Sequence, residues 1–459
     1  VDRDIEVVVK HPVVSELSAL FRENEKELYV VGGSVRDAFL GEIHDDFDFA
    51  TNAKPDDVIK IVKKWSDGMW LVGIEYGTVG LLKGSTKIEI TSLRSELYQR
   101  ASRKPQVKFD SDIQEDLARR DFTINAMAVK LPSGGLIDPF NGKDDLNDKV
   151  LRTPLSPQES FSDDPLRMLR AVRFISTLGL KMDVSIKRSL EKNVKLLSVV
   201  STERIRDELS RIIIGDNVID AMRLMIDTGL SSRVIPELNS LKVEQDPNYH
   251  HKDVLEHTFL VIERTEPDIV LRLAALLHDI GKPACKRAME DRIVFYNHNN
   301  VGARLARKRL MALRYPKQTV NDVEKLITMH MRAYNYRMGW TDKAVRKYVR
   351  DAGNLLPKLN ALIKADCTSL NPNKVKRSLE SLNELEKRIQ KLEEEEESAK
   401  IRSPINGNDI MAFLEIEPGP LVGEALNYLL EAKLDGIISS KDEAYELLKQ
   451  WNIEREEQK

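Results

Sequence analysis

Two hydrophobic periodicities divide the chain. Over its first third, short apolar runs and strict alternation predict β-strands between a few helices. "LYVV" (Leu28–Val31) is a continuous apolar run of the kind a buried strand shows. "DFDFA" alternates, which puts Asp46 and Asp48 on one face and turns Phe47 and Phe49 to the core. In "TKIEITSL", Glu89 alternates with Ile88 and Ile90 and faces away from them, and "WLVGIEYGTVGLLKG" predicts strands joined through glycine-containing turns. Between the first two strands, "SVRDAFLG" predicts a brief helix closed by Gly41. "LPSGGLIDPFNG" predicts a Gly/Pro-rich loop that closes this region.

Beyond about residue 160 the strand signal nearly vanishes. "DDPLRMLRAVRFISTLGL" and "STERIRDELSRIII" carry apolar residues at three- and four-residue spacing, as amphipathic helices do. A further helical unit holds six of the eight histidines. "LNELEKRIQKLEEEEESAK" predicts a charged, solvated spacer helix, and the remainder is helical and broken at Gly and Pro. The expected class is α+β. A small α/β head over 10–150 precedes a helical neck over 151–245, a histidine-bearing helical unit over 246–370 and a helical body and tail over 371–459.

Composition narrows the function only slightly. A chain of 459 residues exceeds one hydrophobic core. A formal charge of −3 gives no argument for a nucleic-acid partner, so any basic surface must be local. No apolar run approaches the length of a membrane span, and "VDRDIEVVVKHP" lacks a signal-peptide pattern. Two cysteines, Cys285 and Cys367, offer no disulfide framework. The expected compartment is the cytoplasm.

The candidate chemistry starts at "VGGSVRDAFLGEIHDDFDFAT". Gly32 and Gly33 permit a tight turn with exposed amides ahead of a helix, a place for phosphate. Asp46 and Asp48 aim the same way, and Glu89 joins them if its strand pairs with theirs. Such carboxylates suit two Mg2+ ions roughly 3.5–4 Å apart, one beside an attacking hydroxyl and one beside a triphosphate. In "EDLARRDFTINAMAVKL", Arg119, Arg120, Asp121 and Asn125 fall within two helical turns; arginines could fork onto phosphate while Asp121 and Asn125 hold a ribose. In "FSDDPLRMLRAVRF", Asp164 and Arg167 are expected as neighbours on one helix face among Asp163, Arg170 and Arg173. An acceptor beside a forked donor can read a base edge; a plain salt bridge fits the same spacing. Further on, His278-Asp279 closes an apolar helix, His257 comes from the preceding helix and Asp366 from a later one. Imidazole with carboxylate suits a transition metal.

Taken together, these segments resemble the bacterial class II tRNA nucleotidyltransferases, the CCA-adding and poly(A) polymerase family, over nearly the whole chain. The resemblance implies triphosphate binding by Gly32, Gly33, Ser34 and Arg36, and metal binding by Asp46 and Asp48. It implies ribose selection by Arg120, Asp121 and Asn125. Its amino-acid template matches Asp163, Asp164 and Arg167, with Asp in place of Glu at the first position, and Arg170 is a further nucleotide contact. "STERIRDEL" resembles the neck motif, in which Ser201, Glu203 and Arg204 orient the template helix. The histidine unit resembles the HD phosphohydrolases: His257, His278, Asp279 and Asp366 form the ligand set for Ni2+, Mn2+ or a similar ion. There His298 and His330 match a second position; Lys282, next to Pro283, fits a phosphate contact and a turn-surface residue equally.

The implied activity is addition of cytidine, cytidine and adenosine, from CTP and ATP, to the tRNA 3′ end. The implied partner is tRNA, with no DNA and no membrane, and monomer and homodimer both stay open. Some relatives add only CC, only A, or poly(A). "LRSELYQRASRKPQVKFD", with Arg94, Glu96, Tyr98, Arg103 and Pro105, resembles the flexible loop that full CCA addition needs. Two other classes are an HD phosphohydrolase with a nucleotide-binding regulatory head, and a non-catalytic RNA-binding protein.

Overall fold

The computed structural model describes residues 3–42, 44–71, 74, 77–93, 95–97, 106–108, 112–242, 253–289, 292–368, 372–400, 403–434 and 437–457. The strands of the head are Leu28–Val31 (β1), Asp46–Thr51 (β2), Gly68–Trp70 (β3), Thr78–Lys83 (β4), Thr86–Ser92 (β5), Ser95–Leu97 (β6), Gln106–Lys108 (β7), Ala128–Lys130 (β8) and Gly135–Ile137 (β9). Seven of them form one sheet in the order β3-β4-β5-β2-β1-β8-β9. Only β2 and β5 run parallel within it; the other neighbours are antiparallel. The pair β6 and β7 forms a separate antiparallel ribbon.

Alternation decides which face each strand buries. Phe47, Phe49, Ile88 and Ile90 are each at most 2% exposed, while Asp46, Asp48 and Glu89 stand on the open side. The phenylalanines pack with Leu17 and Phe21 of the helix Pro12–Glu23 and with Val58 and Val62 of the helix Pro55–Val62. Each such side chain contributes about 1.5–3 kcal/mol by burial. This apolar layer holds β2 and β5 rigid beneath the carboxylates. The other face of β1 and β8 packs Tyr29, Val31 and Ala128 against Ile113 and Leu117 of the helix Ile113–Ala118.

Three sequence expectations change in this region. "LPSGGLIDPFNG" is not all loop: Gly135–Ile137 pairs with β8 across a turn in which Gly134 has φ +71°. The segment 119–125 is not continuous helix either. The helix ends at Ala118, and Thr123–Asn125 forms a single 3-10 turn, because Phe122 and Ile124 are both fully buried and pull the chain inward. Asp164 and Arg167 do not share a helix. One helix ends at Asp163, Asp164 is extended (φ −136°, ψ 99°), and the next runs Arg167–Leu178. Pro165 accounts for the break, since it disfavours helical conformation in the residue before it.

Past the head the described residues are helical as expected, apart from the short strands Val150–Leu151, Lys181–Met182, Lys286–Met289 and Arg292–Phe295. Two compact units divide the chain: 1–330 with 361–370, and 331–360 with 371–459. In the second unit, the charged helix Pro372–Lys400 is more than a solvated spacer. Leu382, Leu385, Ile389 and Leu392 recur at helical spacing and are all buried. A separate core in that unit gathers Ile405, Ile410, Ala425, Leu429, Ala444 and Leu448. Among the described residues, no helix is long and apolar enough to cross a membrane.

Candidate functional site

The parallel register of β2 and β5 sets Asp48 opposite Glu89 and Asp46 opposite Lys87. Desolvation around the Asp48 carboxyl pushes its pKa up to about 6; the charges of Glu89 and Asp46 add to this, while Arg120 and Arg36 oppose it. Negative charge concentrated on neighbouring carboxylates favours a divalent cation between them. The donors are all oxygen, the choice of Mg2+.

The glycine turn sits directly beside them. Gly32 has φ +68° and precedes the helix Gly33–Phe39. A Cβ at Gly32 would stand 2.6 Å from Nη1 of Arg120, and the left-handed φ disfavours a side chain there, so glycine lets the Arg120 guanidinium lie against the turn. Ser34 ties this turn to β2: its Oγ accepts a hydrogen bond from the Asp48 amide (3.1 Å). Arg120 is anchored from behind by Asp116 at 3.3 Å.

The remaining head residues form one connected network. Arg36 donates to Oδ1 of Asn125 (2.6 Å), and Asn125 donates to Oδ1 of Asp121 (3.0 Å). Oδ2 of Asp121 accepts from Arg170 Nε at 2.7 Å. Burial works to raise the Asp121 carboxyl, but Arg170 and the Asn125 hydrogen bond outweigh it and hold the pKa below the usual value. Arg36, the Asp121–Asn125 pair and the helix Arg167–Leu178 are thus locked together.

Asp164 and Arg167 are placed close in the chain but have separate partners. Asp164 accepts from the Leu166 amide (3.1 Å) and pairs with Arg204 at 3.0 Å. Arg167 donates to Ser160 Oγ (2.9 Å) and to the Arg119 carbonyl (2.5 Å). The expected Asp164–Arg167 pair on one helix face is replaced by two adjacent, separately held groups.

The histidine cluster closes in the same compact unit. His257 lies on the helix Val254–Glu263, His278-Asp279 follows the helix Ile269–Leu277, and Asp366 ends the helix Leu356–Asp366. Nε2 of His257 is 3.2 Å from Nε2 of His278 and 3.0 Å from Asp366 Oδ1, and His278 Nε2 is 3.0 Å from Asp279 Oδ2. His298 reaches Asp279 at 3.4 Å, and Lys282 pairs with it at 2.6 Å. Each imidazole is oriented through Nδ1: His257 by Thr368, His278 by the Ala275 carbonyl, His298 by Phe295 and His330 by Ile327. That leaves the Nε2 atoms to converge, and those of His298 and His330 have no hydrogen-bond partner. Two sets of groups close enough to hold an ion result: His257, His278 and Asp366, and Asp279, His298 and His330.

Burial opposes charge on His278, yet Asp279 and Asp366 hold its pKa at about 10. Burial and the charge of His278 push His330 down to about 4. Asp279, despite its burial, is held well below the carboxylate range by His278 and Lys282.

Residues 28–152 match the poly A polymerase head domain, 179–242 the probable RNA and SrmB-binding site of polymerase A, and 249–369 the HD domain. Over 94% of its length the chain is 31% identical to the CC-adding tRNA nucleotidyltransferase of Thermus thermophilus, covering 95% of that protein. The chain belongs to the tRNA nucleotidyltransferase family. It is also 29% identical to the CCA-adding enzyme of Ligilactobacillus salivarius, over 92% of each chain. The crystal structure of the Bacillus stearothermophilus CCA-adding enzyme in complex with CTP shares the fold over all of both chains, with a TM-score of 0.60 at 23% identity. Family and α+β fold agree with the sequence expectation.

Within this tRNA nucleotidyltransferase, several supporting residues escaped sequence reasoning. Asp116, which holds Arg119 at 2.8 Å as well as Arg120, was not singled out in its segment. Ser160, which accepts from Arg167, was not singled out either. Phe174 was passed over, although Arg170 and Arg173 beside it were named. The loop resemblance at Arg94, Tyr98, Arg103 and Pro105 lies outside the described residues, as does the Glu96 side chain on β6.

Proposed function

We propose that this chain adds cytidine, cytidine and adenosine from CTP and ATP to the 3′ end of tRNA without a nucleic-acid template. The observation that carries this reading is the register pairing of Asp48 with Glu89, beside Asp46 and a glycine turn that admits Arg120. Asp46, Asp48 and Glu89 are the metal-binding carboxylates, and Mg2+ fits their oxygen donor set. When bound, Mg2+ supplies charge neutralisation at the triphosphate and a lowered pKa at the attacking hydroxyl. The tRNA 3′ oxygen bonds to the α-phosphorus as the bond from that phosphorus to the bridging oxygen breaks, and pyrophosphate leaves. Gly32, Gly33, Ser34 and Arg36 hold the triphosphate, and Arg120, Asp121 and Asn125 the ribose. Asp164 and Arg167 read the base edge, with Arg170 fixing Asp121 behind them.

The head over 10–150 performs transfer and the neck over 151–245 selects the nucleotide. The body over 371–459 takes part in binding tRNA, and the cytoplasm is the site of action. The HD unit over 246–370 holds a transition metal, Ni2+, Mn2+ or similar, through His257, His278, Asp279 and Asp366. The convergent Nε2 atoms support this, and hydrolysis of phosphate esters is the activity that such a site serves.

The test is incorporation on a tRNA lacking its terminal CCA, with CTP, ATP or both. Two residues with CTP alone and three with both are expected; no incorporation overturns the reading. A specific observation favours a second reading, CC addition alone: the Thermus thermophilus relative, matched nearly end to end, is named CC-adding. A product that stops after two residues with both nucleotides present selects it. A long adenosine tail selects a poly(A) polymerase.

A further inference from the structure

The helix Arg167–Leu178 carries Phe174, which is only 3% exposed, next to Arg173 and one turn after Arg170. Three guanidinium carbons gather around its ring: Arg173 at 4.6 Å from the centroid, Arg36 at 5.3 Å and Arg170 at 5.8 Å. Phe122 meets the same ring edge-on, with centroids 5.6 Å apart and planes at 84°. Each arginine also has its own anion: Asp37 for Arg36, Asp121 for Arg170 and Glu208 for Arg173.

Simple packing does not account for three like charges around one apolar group. Their mutual cost is visible: burial first, and then the charge of Arg170, lower the Arg173 pKa to about 10. An aromatic face offers what an aliphatic side chain lacks, a negative quadrupole that attracts cations. A planar guanidinium stacks well on such a face. The ring therefore stands as a shared anchor for one arginine from the phosphate loop and two from the following domain's helix.

We propose that Phe174 is a positioning residue for nucleotide binding, holding Arg36 beside the Gly32–Gly33 turn and Arg170 against Asp121. This inference rests on the nucleotidyl-transfer reading of the head. Phe174 touches no substrate; it acts through Arg36 directly and through Arg170 on the Asp121–Asn125 pair. The aliphatic equivalent, Leu, fills much of the same volume but leaves Arg36 to Asp37 and Asn125 and Arg170 to Asp121.

The test replaces Phe174 site-specifically with mono-, di- and trifluorophenylalanine, which keep the ring's shape while draining negative charge from its face. KM for CTP and ATP is expected to rise stepwise with fluorine count, reaching roughly tenfold, with kcat and the thermal midpoint held. Phe174→Leu is expected to match the most fluorinated variant. Arg36→Ala is expected to cost less in the Phe174→Leu background than alone, because the two share one interaction. A KM that stays flat across the fluorine series assigns the ring to packing and overturns the inference, whatever happens to the thermal midpoint. Failure of the unmodified protein to add any nucleotide to tRNA overturns the nucleotidyl-transfer reading instead, so the two failures are distinct.

Discussion

Asp48 and Glu89 face one another across the parallel pair β2 and β5, and desolvation, with repulsion from Glu89 added to it, holds the Asp48 pKa at about 6. The folded chain therefore binds this proton more tightly than the unfolded chain, whose value is near 3.8. Between those values, metal-free stability contributed by Asp48 falls as pH rises. A bound cation must displace the same proton, so the Mg2+ requirement for incorporation is expected to ease as pH rises through about 6 and then level off. Asp48→Asn is expected to abolish incorporation and to leave the metal-free thermal midpoint at neutral pH unchanged or higher. Pairing Mg2+ titrations at several pH values with melting curves checks both halves.

Asp121 joins three partners at one buried carboxylate: Arg170, Asn125 and the Phe122 amide. Asp121→Ala leaves Arg170 without its anion and Asn125 without its acceptor. A loss of about 2–4 kcal/mol in urea unfolding is expected, with an unchanged denaturant slope. A weaker affinity for both CTP and ATP is expected in parallel, since Arg36 is fixed through Asn125.

Asp164 and Arg167 are held apart by different partners, so their variants separate two effects. Arg167→Ala is expected to cost about 1–3 kcal/mol of discrimination among the four nucleotides. Arg204→Ala removes only the partner of Asp164, and that pair is partly exposed, at 54% and 33%. It is expected to cost less than about 1 kcal/mol of stability and to shift nucleotide ranking by less than Arg167→Ala does. Single-turnover incorporation of each nucleotide, beside thermal melts, reads both quantities.

Asp279 stands between the two halves of the histidine cluster, 3.0 Å from His278 and 3.4 Å from His298. Asp279→Ala is expected to lower the transition metal retained after purification and any phosphate-ester hydrolysis, with CTP and ATP addition unchanged. Elemental analysis of the parent and the variant checks it. Equal metal content would return the cluster to hydrogen-bonded packing.

Much of the head was legible in sequence because its signals are local. Strand alternation is a property of the backbone, so "DFDFA" and "TKIEITSL" by themselves assigned Asp46, Asp48 and Glu89 to one side and their apolar neighbours to the other. The family motifs, likewise, are short runs whose residue types survive as text. Register is different. Whether Glu89 faces Asp48 depends on which strands pair and in which direction, and only the parallel pairing of β2 with β5 decided that. The helix break at Asp164 was written in Pro165, yet the consequence, Asp164 bound to Arg204 while Arg167 turns back to Ser160, depends on how a helix forty residues on packs against it. The same holds for the arginines around Phe174. Their three-residue spacing was visible, but Arg36 arrives from another domain motif, and the ring's role appears only when the chain brings all three guanidiniums to it. Alternation and capping act over a few residues and can be read from them; pairing, convergence of Nε2 atoms and shared desolvation are properties of the packed chain.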